Sequence, residues 1–160
     1  MLWEAATTAF FGFLRSSEYV SPSLTTFDPT STLCYEDVSF DRGNIIIHLK
    51  SSKTDPFRIG CNVCLAHSRS SVCPVTNLNK YLPYHQTKTG PLFHYQNGSY
   101  LTRRKWNSLL KEIFKTSRDS PISSHSFRIG AATTAAAAGI HRWLIQQLGR
   151  WTSDCFRSYI

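Results

Sequence analysis

Residues 125–160, HSFRIGAATTAAAAGIHRWLIQQLGRWTSDCFRSYI, hold a His and an Arg three apart, then a Trp and a Tyr. Those side chains suit an attack on a phosphodiester that needs no metal. Tyr159 offers a nucleophilic oxygen, Arg128 a permanent planar cation, and His125 a group that gives or takes a proton near neutral pH. An unperturbed tyrosine has a pKa of about 10, so only about one phenol in a thousand is ionised at pH 7. A site using it must lower that cost and balance the charge that grows on the phosphate. Two more cations stand upstream, Arg15 after an apolar run and Lys53 within KSSKTDP. Taken singly, each residue has an ordinary reading. H-x-x-R is a pair of surface neighbours on a helix, Arg15 complements a helix C-terminus, and Lys53 solvates a loop. Trp151 is core, and Tyr159 an amphipathic side chain.

The elements that must position these residues can be read from periodicity. Leu2, Trp3, Ala6, Ala9, Phe10, Phe13 and Leu14 recur at helical spacing and predict a helix to about Arg15, which would carry that arginine at its C-terminal end. Residues 21–32, rich in Ser, Thr and Pro, form a connection. Three strand-like runs follow, Cys34 to Phe40, Asn44 to Leu49 and Phe57 to Leu65, separated by turn signals at Asp41-Arg42-Gly43 and at residues 51–56. They predict a small antiparallel sheet with Lys53 at a hairpin tip. Pro74 starts a helix to about Tyr84, Thr102 caps one to about Thr116, and Ser124 or Ser126 caps the helix carrying Arg128. Gly139 and Gly149 are stops. The predicted class is α+β: one mainly helical domain over residues 1–160 with a small three-stranded antiparallel sheet.

A chain of 160 residues has the size of one compact domain. Its 18 Lys and Arg against 10 acids give a net charge of +8, although only 18% of residues are charged. That sign bias suits a polyanionic partner. No apolar run approaches the roughly twenty residues that span a bilayer, and the start lacks a secretory signal pattern, so a soluble protein with no membrane partner is expected. Five cysteines, an odd number, favour a reducing compartment over a disulfide framework. Cys61, Cys64, His67 and Cys73 give C-x2-C-x2-H-x5-C, four conceivable zinc ligands. Buried free thiols are the favoured reading of these cysteines, and no metal is assigned.

The order of the reactive residues resembles the catalytic domain of the tyrosine recombinases, or phage-type integrases. FGFLRSSE is similar to the family's first-arginine motif with its following Glu18, KSSKTDP to the hairpin bearing its lysine, and HSFRIGAATTAAAAG to its H-x-x-R helix. LGRWTSDCFRSYI is similar to the closing segment with the nucleophile, most of all as written in DIRS-like retrotransposons and Crypton elements. The resemblance spans essentially the whole chain.

It implies a DNA-breaking and rejoining enzyme with catalytic residues Arg15, Lys53, His125, Arg128, Trp151 and Tyr159. Glu18 would orient Arg15. The substrate would be double-stranded DNA, bound by a homodimer or homotetramer, with no cofactor, no small-molecule substrate and a nuclear location. Arg103, Arg104, Lys105 and Arg142 are expected on the DNA-facing surface, where phosphate contacts raise affinity without reading sequence. One position departs from the family, which usually has His or Trp directly after the glycine of the L-G pair. Here Arg150 stands there and Trp151 follows. The expectation is that Trp151 packs on the phosphate side while Arg150 contacts DNA. A type IB topoisomerase shares the chemistry, but the close of the chain is more similar to recombinases. A non-catalytic DNA-binding scaffold derived from such an enzyme is the alternative. The chain is expected to lack the family's N-terminal DNA-clamping domain, and so to bind DNA weakly, with affinity falling steeply as salt rises, and to recombine poorly alone.

Overall fold

The structure, a computed structural model, describes residues 1–51, 55, 57–85, 87–115 and 122–160. Helix α1, Leu2–Phe11, ends before its apolar periodicity does. Phe13 N–H donates to the Phe10 carbonyl at 3.1 Å and Leu14 N–H to that of Ala9 at 2.9 Å. This pair of bonds closes a helix through one residue of positive φ, commonly a glycine. Here that residue is Phe13, at φ 50, a conformation costing a non-glycine about 1 kcal/mol. Gly12 is required for space instead, because a Cβ there would stand 2.8 Å from the Thr8 carbonyl oxygen. The chain therefore turns early. Arg15, expected at the end of α1, is instead the N-cap of α2, Ser16–Tyr19.

Strands β1 (Val38–Asp41), β2 (Asn44–Leu49) and β3 (Cys61–Leu65) form one antiparallel sheet in the order β1-β2-β3. Val38 lies opposite Ile47, and Ile45 opposite Leu65. The first hairpin turns at Arg42 (φ 47) and Gly43 (φ 82), the two positive φ values that suit strand twist. Ile45, Ile47 and Leu49 point into the core, following the period of two. The outer strands are shorter than the apolar runs predict. The Asp37 carboxylate accepts the Cys34 N–H at 2.8 Å and holds Tyr35–Asp37 as a 3-10 turn. The Asp55 carboxylate accepts the Gly60 N–H at 2.8 Å, delaying β3. Lys53 lies outside the described residues.

Helix α3, Pro74–Tyr81, starts on its proline, and α4, Arg103–Phe114, is capped by the Thr102 hydroxyl, which accepts the Lys105 N–H at 3.3 Å. Helix α5, Ser126–Ala137, takes His125 as its N-cap, between the two serines expected there. Gly139 ends α5 at φ 78 as expected. Helix α6, Arg142–Gly149, closes as α1 does with a glycine directly before a residue of positive φ, here Arg150 at φ 57. A 3-10 turn, Asp154–Tyr159, follows.

Two apolar clusters hold these elements. The larger gathers α1, the sheet, α3 and α4 around Leu14, Ile45, Ile47, Leu78, Phe93 and Trp106. Within it the Trp106 indole donates to the Tyr19 hydroxyl at 3.0 Å, and that hydroxyl donates to the Ser124 carbonyl at 3.3 Å. This chain of bonds fixes the start of α5 against α2. The smaller cluster packs Phe13, Ile145, Trp151 and Phe156 on Ala131 and Ala132, whose small side chains admit the ends of α1 and α6. Among the described residues no helix is long and apolar enough to cross a membrane.

Candidate active site

The Arg15 turn is built around one buried carboxylate. Glu18 accepts the Arg15 backbone N–H at 2.8 Å, as the third helical residue of a capping box does. It also accepts the Arg15 guanidinium at 3.2 Å and the Arg150 guanidinium at 2.9 Å. Glu18 is only 3% exposed, and a buried carboxylate needs such pairing. Arg150 donates further to the carbonyls of Gly12 (3.1 Å) and Phe13 (3.2 Å), while its own carbonyl accepts Arg15 Nη2 at 3.2 Å. Arg150, expected to contact DNA, is 15% exposed and gives these donors to the protein. Its left-handed backbone at the end of α6 turns the side chain inward, where Glu18 needs a second cation.

Arg128 lies in the first turn of α5, 1% exposed. Its guanidinium donates to the carbonyls of Phe13 and Gly149. Both belong to the helix ends where a glycine precedes a positive-φ residue. The Trp151 ring covers one face, 4.0 Å from the Arg128 Cζ, in cation–π contact. Burial, then the neighbouring Arg15 and Arg150, push Arg128 down to about 9, so it remains a cation at pH 7. Three guanidiniums around one carboxylate leave a local excess of positive charge.

Trp151 and Tyr159 complete the cluster. Trp151 meets Phe13 edge-on at 6.4 Å, stacks on Phe156 at 5.5 Å and tilts toward Tyr159 at 6.2 Å. Gly149 makes this possible, since a Cβ there would lie 1.6 Å from the Trp151 ring. On its other side the half-buried Tyr159 ring meets His125 edge-on, also at 6.2 Å. Burial, then Arg128, Arg103 and Arg15, hold His125 below its ordinary 6.5. It is therefore neutral at pH 7 and can take a proton. The Thr133 hydroxyl, about two turns further along α5, donates to the Tyr159 carbonyl at 2.5 Å and anchors the turn that carries the phenol.

The fold thus brings together Arg15, Glu18, His125, Arg128, Arg150, Trp151 and Tyr159. Arg103, Arg104 and Lys105 are exposed on the first turn of α4, and Arg103 is near enough to act on His125. Arg142 is exposed at the start of α6. Beside Arg150 and Trp151 opens a cleft of about 730 Å³, whose far wall includes Asp55 and Phe57, neighbours of Lys53 in sequence. Among the described residues no group of three or more His, Cys, Asp or Glu could hold a metal. Cys61 and Cys64, three apart on a strand, point to opposite faces, and Cys73 pairs with His67 at 3.4 Å. Sequence reasoning missed the carbonyls of Phe13 and Gly149 and the Thr133 anchor. The repeated pattern of a helix-ending glycine before a larger residue, in FGF and LGR, was the available signal for the first two.

No protein-family model matches the chain, and no curated protein does. Solved structures do. The XerH site-specific recombinase bound to its difH substrate, in a pre-cleavage complex, is 20% identical with a TM-score of 0.68, the match covering 98% of this chain and 42% of that one. The Tn1549 transposon integrase in complex with circular intermediate DNA is 15% identical with a TM-score of 0.59, over 98% of this chain and 52% of that one. The chain thus spans about half the length of these proteins, or less. Its helices and three-stranded antiparallel sheet have the fold of the tyrosine recombinase catalytic domain.

Proposed function

We propose that this chain is the catalytic part of a site-specific DNA recombinase or integrase of a mobile element, of the DIRS-like or Crypton kind, acting in the nucleus as a dimer or tetramer on duplex DNA. The observation that carries the reading is the convergence on Tyr159: His125 and Trp151 each lie 6.2 Å away, and Trp151 rests on Arg128, which shares the Phe13 carbonyl with Arg150. The likeness of the fold to DNA-bound recombinases supports the same conclusion.

The chemistry follows from the residues. Arg15 and Arg128 hold the non-bridging oxygens of the scissile phosphate and offset the charge of the pentavalent transition state. Neutral His125 takes the phenol proton as the Tyr159 oxygen attacks phosphorus in line. The bond to the 5′ oxygen breaks, that oxygen receives a proton from Lys53, and a 3′-phosphotyrosyl link remains. The 5′-hydroxyl of the rejoining strand reverses each step, so neither metal nor nucleotide is consumed. Two of the five N–H donors of Arg128 are committed to carbonyls, which leaves three for the phosphate, and because the side chain is buried beneath the Trp151 ring the phosphate engages it as that ring shifts.

The test is a nicked suicide duplex that cannot be religated, incubated with the wild-type chain and with Tyr159→Phe. A covalent protein–DNA adduct from the wild type alone, unaffected by a chelator, is expected. Measurable binding without adduct from either protein would favour the non-catalytic scaffold.

A further inference from the structure

We propose that Arg150 is a positioning residue for strand cleavage, a strut that sets both phosphate-binding arginines and the nucleophile segment in one geometry. The inference rests on the recombinase reading. The position is one at which the resembled family carries a His or Trp, and a surface contact to DNA is the simplest use of an arginine there. The bonds say otherwise. One fork of Arg150 spans Glu18 and the carbonyls of Gly12 and Phe13, residues 132 to 138 positions away in sequence. Each phosphate-binding arginine is one partner removed from it. Arg15 shares Glu18 with Arg150 and also donates to the Arg150 carbonyl. Arg128 shares the Phe13 carbonyl.

The backbone argument is independent. Arg150 is the left-handed residue that closes α6, with its N–H on the Gln147 carbonyl at 3.0 Å and the next N–H, that of Trp151, on the Gln146 carbonyl at 3.1 Å. A glycine would adopt φ 57 with less strain, but would forfeit the fork. The left-handed residue at this point sets the direction in which the chain leaves α6 toward Trp151 and the Tyr159 turn, and its side chain ties that exit to Glu18 and the end of α1. Lysine could replace the charge beside Glu18. It has no planar fork, and its compact ammonium lacks the fixed spread of donors with which Arg150 meets Glu18 and the two carbonyls.

The experiment compares wild type, Arg150→Met and Arg150→Lys on the suicide duplex, in single turnover at saturating protein, with DNA affinity, its salt dependence and the melting temperature measured alongside. Arg150→Met is expected to cleave about 10–100-fold more slowly, as loss of a residue that orients reacting groups does, with affinity and salt slope close to wild type. A residue that served the fold alone would not separate the cleavage rate from binding in a protein that still melts cooperatively. Arg150→Lys is expected to be slow as well, and decides the matter if Arg150→Met fails to fold. A wild-type rate in the folded variants overturns the inference. So does weakened binding with a salt slope shallower by about one and an unchanged saturated rate, the signature of a phosphate contact. Absence of adduct from the wild type itself overturns the recombinase reading before any Arg150 variant is compared, so the two failures are distinct.

Discussion

Substituting Gly149 by alanine sets helix propensity against packing. Gly149 is the last residue of α6, and alanine in a helix is favoured over glycine by about 1 kcal/mol. Propensity alone therefore predicts a more stable protein. The added Cβ, however, would stand 1.6, 2.0 and 2.4 Å from three atoms of the Trp151 ring, where real contacts stay beyond 3.0 Å. The ring has nowhere easy to go, being wedged between Phe13, Phe156 and the Arg128 guanidinium and only 8% exposed. Overpacking of this kind costs about 1–3 kcal/mol, and the displaced cation–π contact about 1 kcal/mol more. Net of the propensity gain, Gly149→Ala should destabilise by about 1–3 kcal/mol, a fall in Tm of about 2–12 °C for a domain of this size. Thermal unfolding followed by circular dichroism measures it. The same substitution in a Trp151→Ala background should be neutral or stabilising, because the obstructing ring is gone. An equal or higher Tm for the single variant would refute the placement of Trp151 against α6 and, with it, the stack on Arg128.

Acidification should weaken both fold and cleavage. Burial and neighbouring cations hold His125 below its ordinary 6.5, and burial with His94 does the same for His85. The unfolded chain then binds more protons, so this stabilisation is fully present above about pH 6.5 and is lost as pH falls beneath it. Melting at pH 7.5 and at 5 tests the sign, and a higher Tm at pH 5 would contradict it. The cleavage rate should show an acid limb that His125→Gln abolishes, and a limb that persists in that variant would remove His125 as the base. Arg103→Ala and Arg104→Ala, at exposed sites on α4, should each lower DNA affinity and reduce its salt slope by about one. A slope unchanged in both would exclude that helix turn from the DNA surface.

Features set by neighbours in sequence were legible. The period of two in Asn44–Leu49 located β2 to its ends, Arg42-Gly43 marked the hairpin, Thr102 capped α4, and Gly139 ended α5. Expectations failed where a distant or side-chain bond competed with periodicity. The helix predicted to Arg15 stops at Phe11 because two backbone bonds close it around Phe13, and the flanking strands are cut short by the carboxylates of Asp37 and Asp55.

The types of the reactive residues and their order along the chain were fixed by sequence alone, because a phenol, an imidazole and guanidiniums carry their chemistry wherever they sit. Which backbone oxygens Arg128 meets, why Gly149 must be bare, and that Arg150 faces Glu18 rather than solvent were decided only by tertiary structure. The bonds from Arg128 to Phe13 and from Arg150 to Gly12 and Glu18 cross more than a hundred residues, while the Arg128 bond to Gly149 and the closeness of Trp151 to Gly149 depend on how α5, α6 and the chain after α6 pack. Two left-handed helix ends create them, each on a residue whose type does not favour that conformation. The strain is held by the packing and bonds around it, and the local signal for it is confined to the glycine before each of the two residues, in FGF and LGR.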